Sequence, residues 1–225
     1  MSKHRKGSSH LRHLAISAGI FSLPLFLPPL SNADIVFSNF GPSFAYNTSG
    51  GNDVGNAFDG NNYAEGDTFT PAHTDVFADL RIALSCFVSC PSPFTVDLTA
   101  NSGDQPGAVI ESFSVLGTGL GPLGANNPPV LLTSVLKPTL NAGTQYWVTV
   151  SSTLADSITW NWNTTGDTSD QAISTDGGST WFSPSGLTPS AYQIDGTTAV
   201  PEPGLFWLSA AGFAICALRR RFRAS

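Results

Sequence analysis

Val76-Phe77-Ala78-Asp79-Leu80-Arg81-Ile82-Ala83-Leu84-Ser85 is the stretch whose reading decides the fold class. Val76, Ala78, Leu80, Ile82 and Leu84 alternate with Phe77, Asp79, Arg81, Ala83 and Ser85, the period-two pattern of a strand with one buried face. Phe94, Val96, Leu98 and Ala100 repeat the pattern against Thr95, Asp97 and Thr99. Outward from these two, further strands are expected at 35–40, 109–116, 130–136, 145–151, 158–163 and 191–195. The punctuation between them is turn chemistry: Asn101-Ser102-Gly103-Asp104, Gln105-Pro106-Gly107, Asn141-Ala142-Gly143 and Asp176-Gly177-Gly178-Ser179. The longest loop is 117–129, rich in Gly, Pro and Asn, and no helical periodicity or internal repeat competes. About eight short strands in about 165 residues predict an all-β domain, a single β-sandwich or jelly roll.

Charge divides the chain into three. Eight of the ten basic residues lie at the two ends, and between Asp34 and Thr198 fifteen acids face only Arg81 and Lys137. A body this acidic repels phosphate backbones, which excludes nucleic acid as a partner. Lys3, Arg5, Lys6 and Arg12 precede an uncharged run over 14–30, and Ser31-Asn32-Ala33 places small residues where a signal peptidase cuts. Pro24, Pro28 and Pro29 disfavour a permanent helix there, so 1–33 is expected to be a cleaved export signal; the competing reading is an uncleaved anchor. The folded domain is then expected over 34–198, in an oxidising compartment.

At the other end Pro201-Glu202-Pro203 precedes an uncharged run over 205–218 and then Arg219, Arg220, Arg221 and Arg223. Fourteen residues of helix span about 21 Å, short of a ~30 Å hydrocarbon core. The arginine cluster after the run nonetheless fits an outside-to-inside span, and its side chains can snorkel. A short transmembrane helix is therefore expected within 199–225, with the arginines as a stop-transfer cluster.

Residues 200–223 resemble the PEP-CTERM sorting signal in order, spacing and position. That resemblance implies a bacterial exosortase substrate: a membrane enzyme recognises the motif, removes the helix and delivers the protein to the cell surface or exopolysaccharide matrix. An ordinary tail anchor is the alternative. The middle, through Phe94 to Gly107, Tyr146-Trp147, Trp160-Asn161-Trp162 and the stretch from Trp181 to Ile194, resembles the choice-of-anchor families of extracellular β-domains, specifically the R type. No catalytic residues are known for such domains, and none is carried over.

Chemistry-bearing constellations are sparse. His73 is the single histidine between 34 and 198, which argues against a multi-histidine zinc site and a Ser-His-Asp triad. No nucleophile elbow or phosphate loop is present. No enzyme activity and no resident metal are expected. Asp59-Gly60-Asn61-Asn62, Glu65-Gly66-Asp67, and Asp167 with Asp170 read as acidic loops; they are calcium candidates, but solubilising surface charge is the simpler reading. Trp160 and Trp162, on one strand face with Ile158, and Trp181 are candidate sugar contacts, although core packing is the commoner fate of such a face. Cys86 and Cys90 are the candidate disulfide, the alternative being two core thiols. Alkylation of the full chain without reductant, read by mass spectrometry, should leave both Cys86 and Cys90 unlabelled. Two labelled thiols would refute the pairing.

Overall fold

The structure is a computed structural model and describes residues 33–55, 60–152 and 156–198. All of these belong to the second of two compact units, Ser31–Ser225. Of the expected signal over 1–33 all but Ala33, and likewise the sorting motif, the arginine cluster and the helix over 205–218, lie outside the described residues.

Among the described residues thirteen strands run in chain order. They are β1 (Ala33–Ser38), β2 (Gly51–Gly55), β3 (Ala64–Phe69), β4 (Asp75–Ile82), β5 (Leu84–Cys86), β6 (Pro93–Asn101) and β7 (Pro106–Leu116). Then follow β8 (Val130–Thr133), β9 (Thr139–Leu140), β10 (Tyr146–Ser151), β11 (Ser157–Asn161), β12 (Gln171–Ser174) and β13 (Tyr192–Thr198). The only helical elements among the described residues are two three-residue 3-10 turns, Pro42–Phe44 and Gly117–Gly119. The domain is all-β.

The strands form three sheets. The first has the order β1-β13-β4-β8, with β9 also paired to β4. The second is β12-β3-β10-β6-β7, and the third is β2-β11-β5. The ladders between these strands are antiparallel. All three sheets feed one core: Phe77, Leu80, Ile82 and Ile194 from the first, Val96, Leu98, Val148 and Val150 from the second, and Val54, Leu84, Ile158 and Trp160 from the third.

The stretch 76–84 forms strands, but not with a single buried face. Asp79 pairs with Asp195, and the next pair along is Phe77 with Gly196, so Ala78 is an extra residue in the ladder. Its carbonyl accepts from Ser134 N at 2.8 Å. A bulge shifts the side-chain phase by one residue. Phe77 and Leu80 are therefore both buried, while Val76 and Ala78 are only half-buried. The expected face of Val76, Ala78, Leu80, Ile82 and Leu84 is corrected accordingly.

A larger correction concerns Glu65-Gly66-Asp67. These residues are not a surface loop but the middle of β3, an inner strand between β12 and β10, and every residue of β3 is buried. Two acids and a glycine carry little strand propensity. Pairing along both edges overrides it, with Glu65 and Asp67 opposite Val150 and Val148 on one side and Ile173 and Gln171 on the other. Sequence reading also gave no strand for β2, β9 or β12.

Cys86, at the end of β5, is bonded to buried Cys90 with Cα atoms 5.9 Å apart. The bond closes the exposed residues Phe87, Val88 and Ser89 into a small loop just before β6.

Glu111 on β7 fastens the turn between β8 and β9. Its carboxylate is buried and accepts from Ser134 Oγ at 2.6 Å, Val135 N at 2.7 Å and Leu136 N at 3.0 Å. Hydrogen bonds to a charged acceptor are stronger than neutral ones, and its loss would strip the buried Ser134 hydroxyl and two backbone N–H groups of the exposed turn of their acceptor. Glu111→Ala should lower the unfolding free energy by about 3 kcal/mol with an unchanged denaturant slope. A change below about 0.5 kcal/mol would show that water replaces the carboxylate.

Candidate functional site

Two loops enclose the groove that is the candidate site. One links β11 to β12 and the other links β12 to β13; Asn163 to Gln171 and Pro184 to Thr188 line a volume of ≈ 610 Å³. The lining is hydroxyls, amides and the carboxylates of Asp167 and Asp170, with Pro184 and Leu187 as its apolar members.

Asn163 builds the first wall. Its Oδ1 accepts the backbone N–H of Thr165, Gly166 and Asp167 at 3.1, 3.1 and 3.2 Å, winding the loop around one amide. Its Nδ2 donates to Pro189 O at 2.7 Å and so ties the first loop to the second. Asp167 is engaged within the structure: Oδ2 accepts from Asn39 Nδ2 and Ser169 Oγ, both at 2.9 Å, and Oδ1 accepts from Ser169 N at 3.1 Å. The Asp170 carbonyl accepts from Thr68 N at 3.0 Å, holding the loop against β3.

Behind Gln171 the groove meets a buried polar seam. Ser190 N donates to Asp67 Oδ2 at 2.9 Å, and Asn39 Nδ2 donates to Ser190 O at 2.8 Å. Asn52 Nδ2 donates to Ser190 Oγ at 2.9 Å. Burial pushes Glu65 well above the carboxylate range, and the nearby charges of Asp67 and Asp53 push it further. Burial raises Asp67 to about 7 against the downward pull of its hydrogen bonds with Ser190 and the Gln171 side chain. Glu65 and Asp67 are thus neighbouring carboxyls, but they face the interior rather than opening into the groove.

The tryptophans do not form a platform. Trp160, named above as a candidate sugar contact, is 0% exposed: it donates Nε1 to Ala191 O at 3.2 Å and meets Tyr192 edge-on at 5.7 Å. Trp147 is equally buried, with Nε1 on Asn101 Oδ1 at 3.0 Å. Trp162 lies beyond the end of β11, half-buried over Gly50, where an added Cβ would come within 2.6 Å of its ring. Trp181 is half-buried beside Gly178. Neither Trp162 nor Trp181 lines the groove.

The remaining candidates separate in space. His73 is exposed in the turn before β4. Asp59 lies outside the described residues. Among the described residues no three His, Cys, Asp or Glu side chains are grouped to hold a metal ion. Asp176 closes its own turn, accepting from Thr180 N at 2.8 Å, Ser174 Oγ at 2.7 Å and Thr180 Oγ1 at 2.7 Å. The Thr180 N–H, followed by the two hydroxyls, lowers it to about 2.

Sequence reading missed Asn163, Gln171, Asn39 and Ser190. Only Asn163 carried a local signal: Asn163-Thr164-Thr165-Gly166-Asp167 has the composition of a turn built on an Asn side chain. The other three act through partners far away in sequence.

Replacing Asn163 with Ala removes the acceptor of three amides and the bridge to Pro189. The expected loss is about 2 kcal/mol, with faster hydrogen exchange at Thr165, Gly166 and Asp167 than at β4 or β10. Uniform exchange across the domain would mean that Asn163 has no special hold on the groove. Set against protein-family models, curated proteins and solved structures, the chain matches none.

Proposed function

We propose that this chain is an exported, non-enzymatic surface or matrix-associated protein, sorted by an exosortase-type enzyme through its C-terminal tail. The observation that carries the reading is the ordered run of Pro201-Glu202-Pro203, the uncharged segment over 205–218 and the cluster Arg219, Arg220, Arg221 and Arg223. Its route begins with the signal over 1–33, passes through an inner-membrane intermediate and ends at the cell surface or extracellular matrix. Both basic ends then stay on the cytoplasmic side and the acidic domain stays outside.

The fold supports this reading in one respect. β1 and β13 pair antiparallel with Ala33 opposite Thr197, so the chain enters and leaves the domain at one place. Such adjacency suits two segments inserted in one membrane. No more than about 10 Å of chain separates Thr198 from Pro201, which keeps the processing motif close to the domain. The common core of the three sheets supports reading the domain as one sandwich.

A second reading makes the domain a carbohydrate-binding module that engages exopolysaccharide. The groove favours it, because convergent hydroxyls, amides and carboxylates suit a polyol. Hydrogen bonding rather than ring stacking would then carry the affinity, since Trp147 and Trp160 are inside the core. Calorimetric titration with the producing cell's own polysaccharide, with and without calcium, should give heat under this reading and none if the domain is purely structural.

Glu202→Ala tests the main proposal. The variant should fold as the parent does, because Glu202 lies beyond the last strand, and the full-length form should accumulate in the inner membrane. Normal processing and export of the variant would leave an ordinary tail anchor as the better account.

A further inference from the structure

We propose that Val135, Leu136 and Lys137, in the turn between β8 and β9, form a contact surface for the bilayer that holds the tail. The inference rests on the reading of the tail given above and adds to it the face that the domain turns towards lipid.

The turn is an excursion from a sheet edge. Thr133 stands opposite Asp79 and Thr139 opposite Val76, so the five residues 134–138 are set against the two residues 77 and 78. The chain has to loop outward there. Val135 is 84% exposed and Leu136 67%, and exposed Lys137 follows with φ +48. Turns ordinarily carry Gly, Pro, Asn, Asp or Ser. Two adjacent aliphatic side chains left in water add nothing to the core.

Their support is nonetheless firm. Ser134 N donates to Ala78 O at 2.8 Å and Phe77 N donates to Pro138 O at 2.9 Å, which pins both feet of the turn to β4. Lys137 N donates to Ser134 Oγ at 2.9 Å, and the buried Glu111 carboxylate gathers Ser134, Val135 and Leu136 from behind.

The position of the turn names its occupant. Asp75 pairs with Thr198 on one side and with Leu140 on the other. The last strand therefore leaves the domain beside the foot of this turn, since Phe77 is only about 7 Å further along β4. Six residues, 199–204, separate Thr198 from the uncharged run over 205–218, no more than about 25 Å of chain. With that run in a bilayer, the turn is kept within reach of the surface. Charge agrees. Arg81 is bound by Asp195, while Lys137 has no ion pair among the described residues and is free to meet lipid phosphate. Asp79 and Asp34 belong to the same sheet, but Asp79 is half-buried and Asp34 lies on β1, beyond β13 from the turn. A short tether holds its two ends at an effective concentration on the order of millimolar, so a small contact is enough to set orientation. The tail supplies the anchorage and the turn supplies the angle.

Lipid discs of phosphatidylethanolamine and phosphatidylglycerol, with a nitroxide on the upper acyl chain, test the contact on the full chain. The methyl signals of Val135 and Leu136 should be lost by relaxation. Those of Val88, 72% exposed at the opposite end beyond β5, should persist. The double variant Val135→Ser, Leu136→Ser keeps the backbone bonds to Glu111 and should still elute with the discs through its tail. Its amide signals from β4 and β10 should sharpen as the domain comes free of the surface. A chain that elutes with the discs and keeps its Val135 and Leu136 signals overturns the contact and leaves the tail reading standing. A variant with amide signals as broad as the parent's does the same. A chain that does not elute with the discs overturns the tail reading and the contact with it. Val135 and Leu136 signals that shift with protein concentration in detergent alone would give the turn to a second copy and overturn the bilayer as its partner.

Discussion

The domain has to place fifteen carboxylates with two cations to answer them. Arg81 is bound by Asp195 and lies 5.6 Å from the centre of the Phe44 ring. Four of the other acids are held by hydroxyls, an amide and backbone N–H groups. Glu111 takes three such donors, Asp167 is held by Asn39 and Ser169, and Asp176 by Ser174 and Thr180. Asp156 accepts from Ser92 N at 3.0 Å and Ser152 Oγ at 2.6 Å. Each contact fixes a turn, because a carboxylate can collect several nearby donors that would otherwise lack partners. Acidity here is a way of closing loops as well as a way of staying soluble.

What could be read from the sequence follows this division. Alternation worked where strands carry apolar residues on one face, as in β6 with Phe94, Val96 and Leu98. It misassigned β4, because a bulge depends on a partner strand more than a hundred residues away and leaves no local mark. It failed for β3, where Glu65 and Asp67 look like surface residues until β12 and β10 close over them. The groove was legible only as two acids, Asp167 and Asp170. The residues that shape it, Asn163, Gln171 and Ser190, are polar in sequence and become a unit through contacts with Pro189, Thr188 and Asp67. Tryptophan was the opposite case. Three rings, Trp160, Trp162 and Trp181, were candidate sugar contacts with core packing as the commoner fate, and Trp160 is fully enclosed because its area is worth most in the core.

The proposed addressing signals and the folded domain occupy different parts of the chain. The proposed sorting determinants are short, linear and chemically extreme: prolines around a glutamate, an apolar run, a row of arginines. The folded middle works by long-range pairing and has nearly the reverse composition, with fifteen acids against Arg81 and Lys137. A tail of this kind can be attached to many domains without altering their interiors. The middle is accordingly understood from its own groove and its own buried acids.

The place of β13 has a consequence for how the domain comes into being. It is the last strand in sequence, yet it sits inside the first sheet between β1 and β4, and it supplies Tyr192, which meets Phe37, Phe69 and Trp160. β1 has no other partner in its sheet. A chain that emerges from its N-terminus must therefore keep its first strand waiting until the last has been made, and closure of the core is deferred with it. Until then the core stays open. The order of strands delays closure until the whole domain has been made, which suits the export route proposed above.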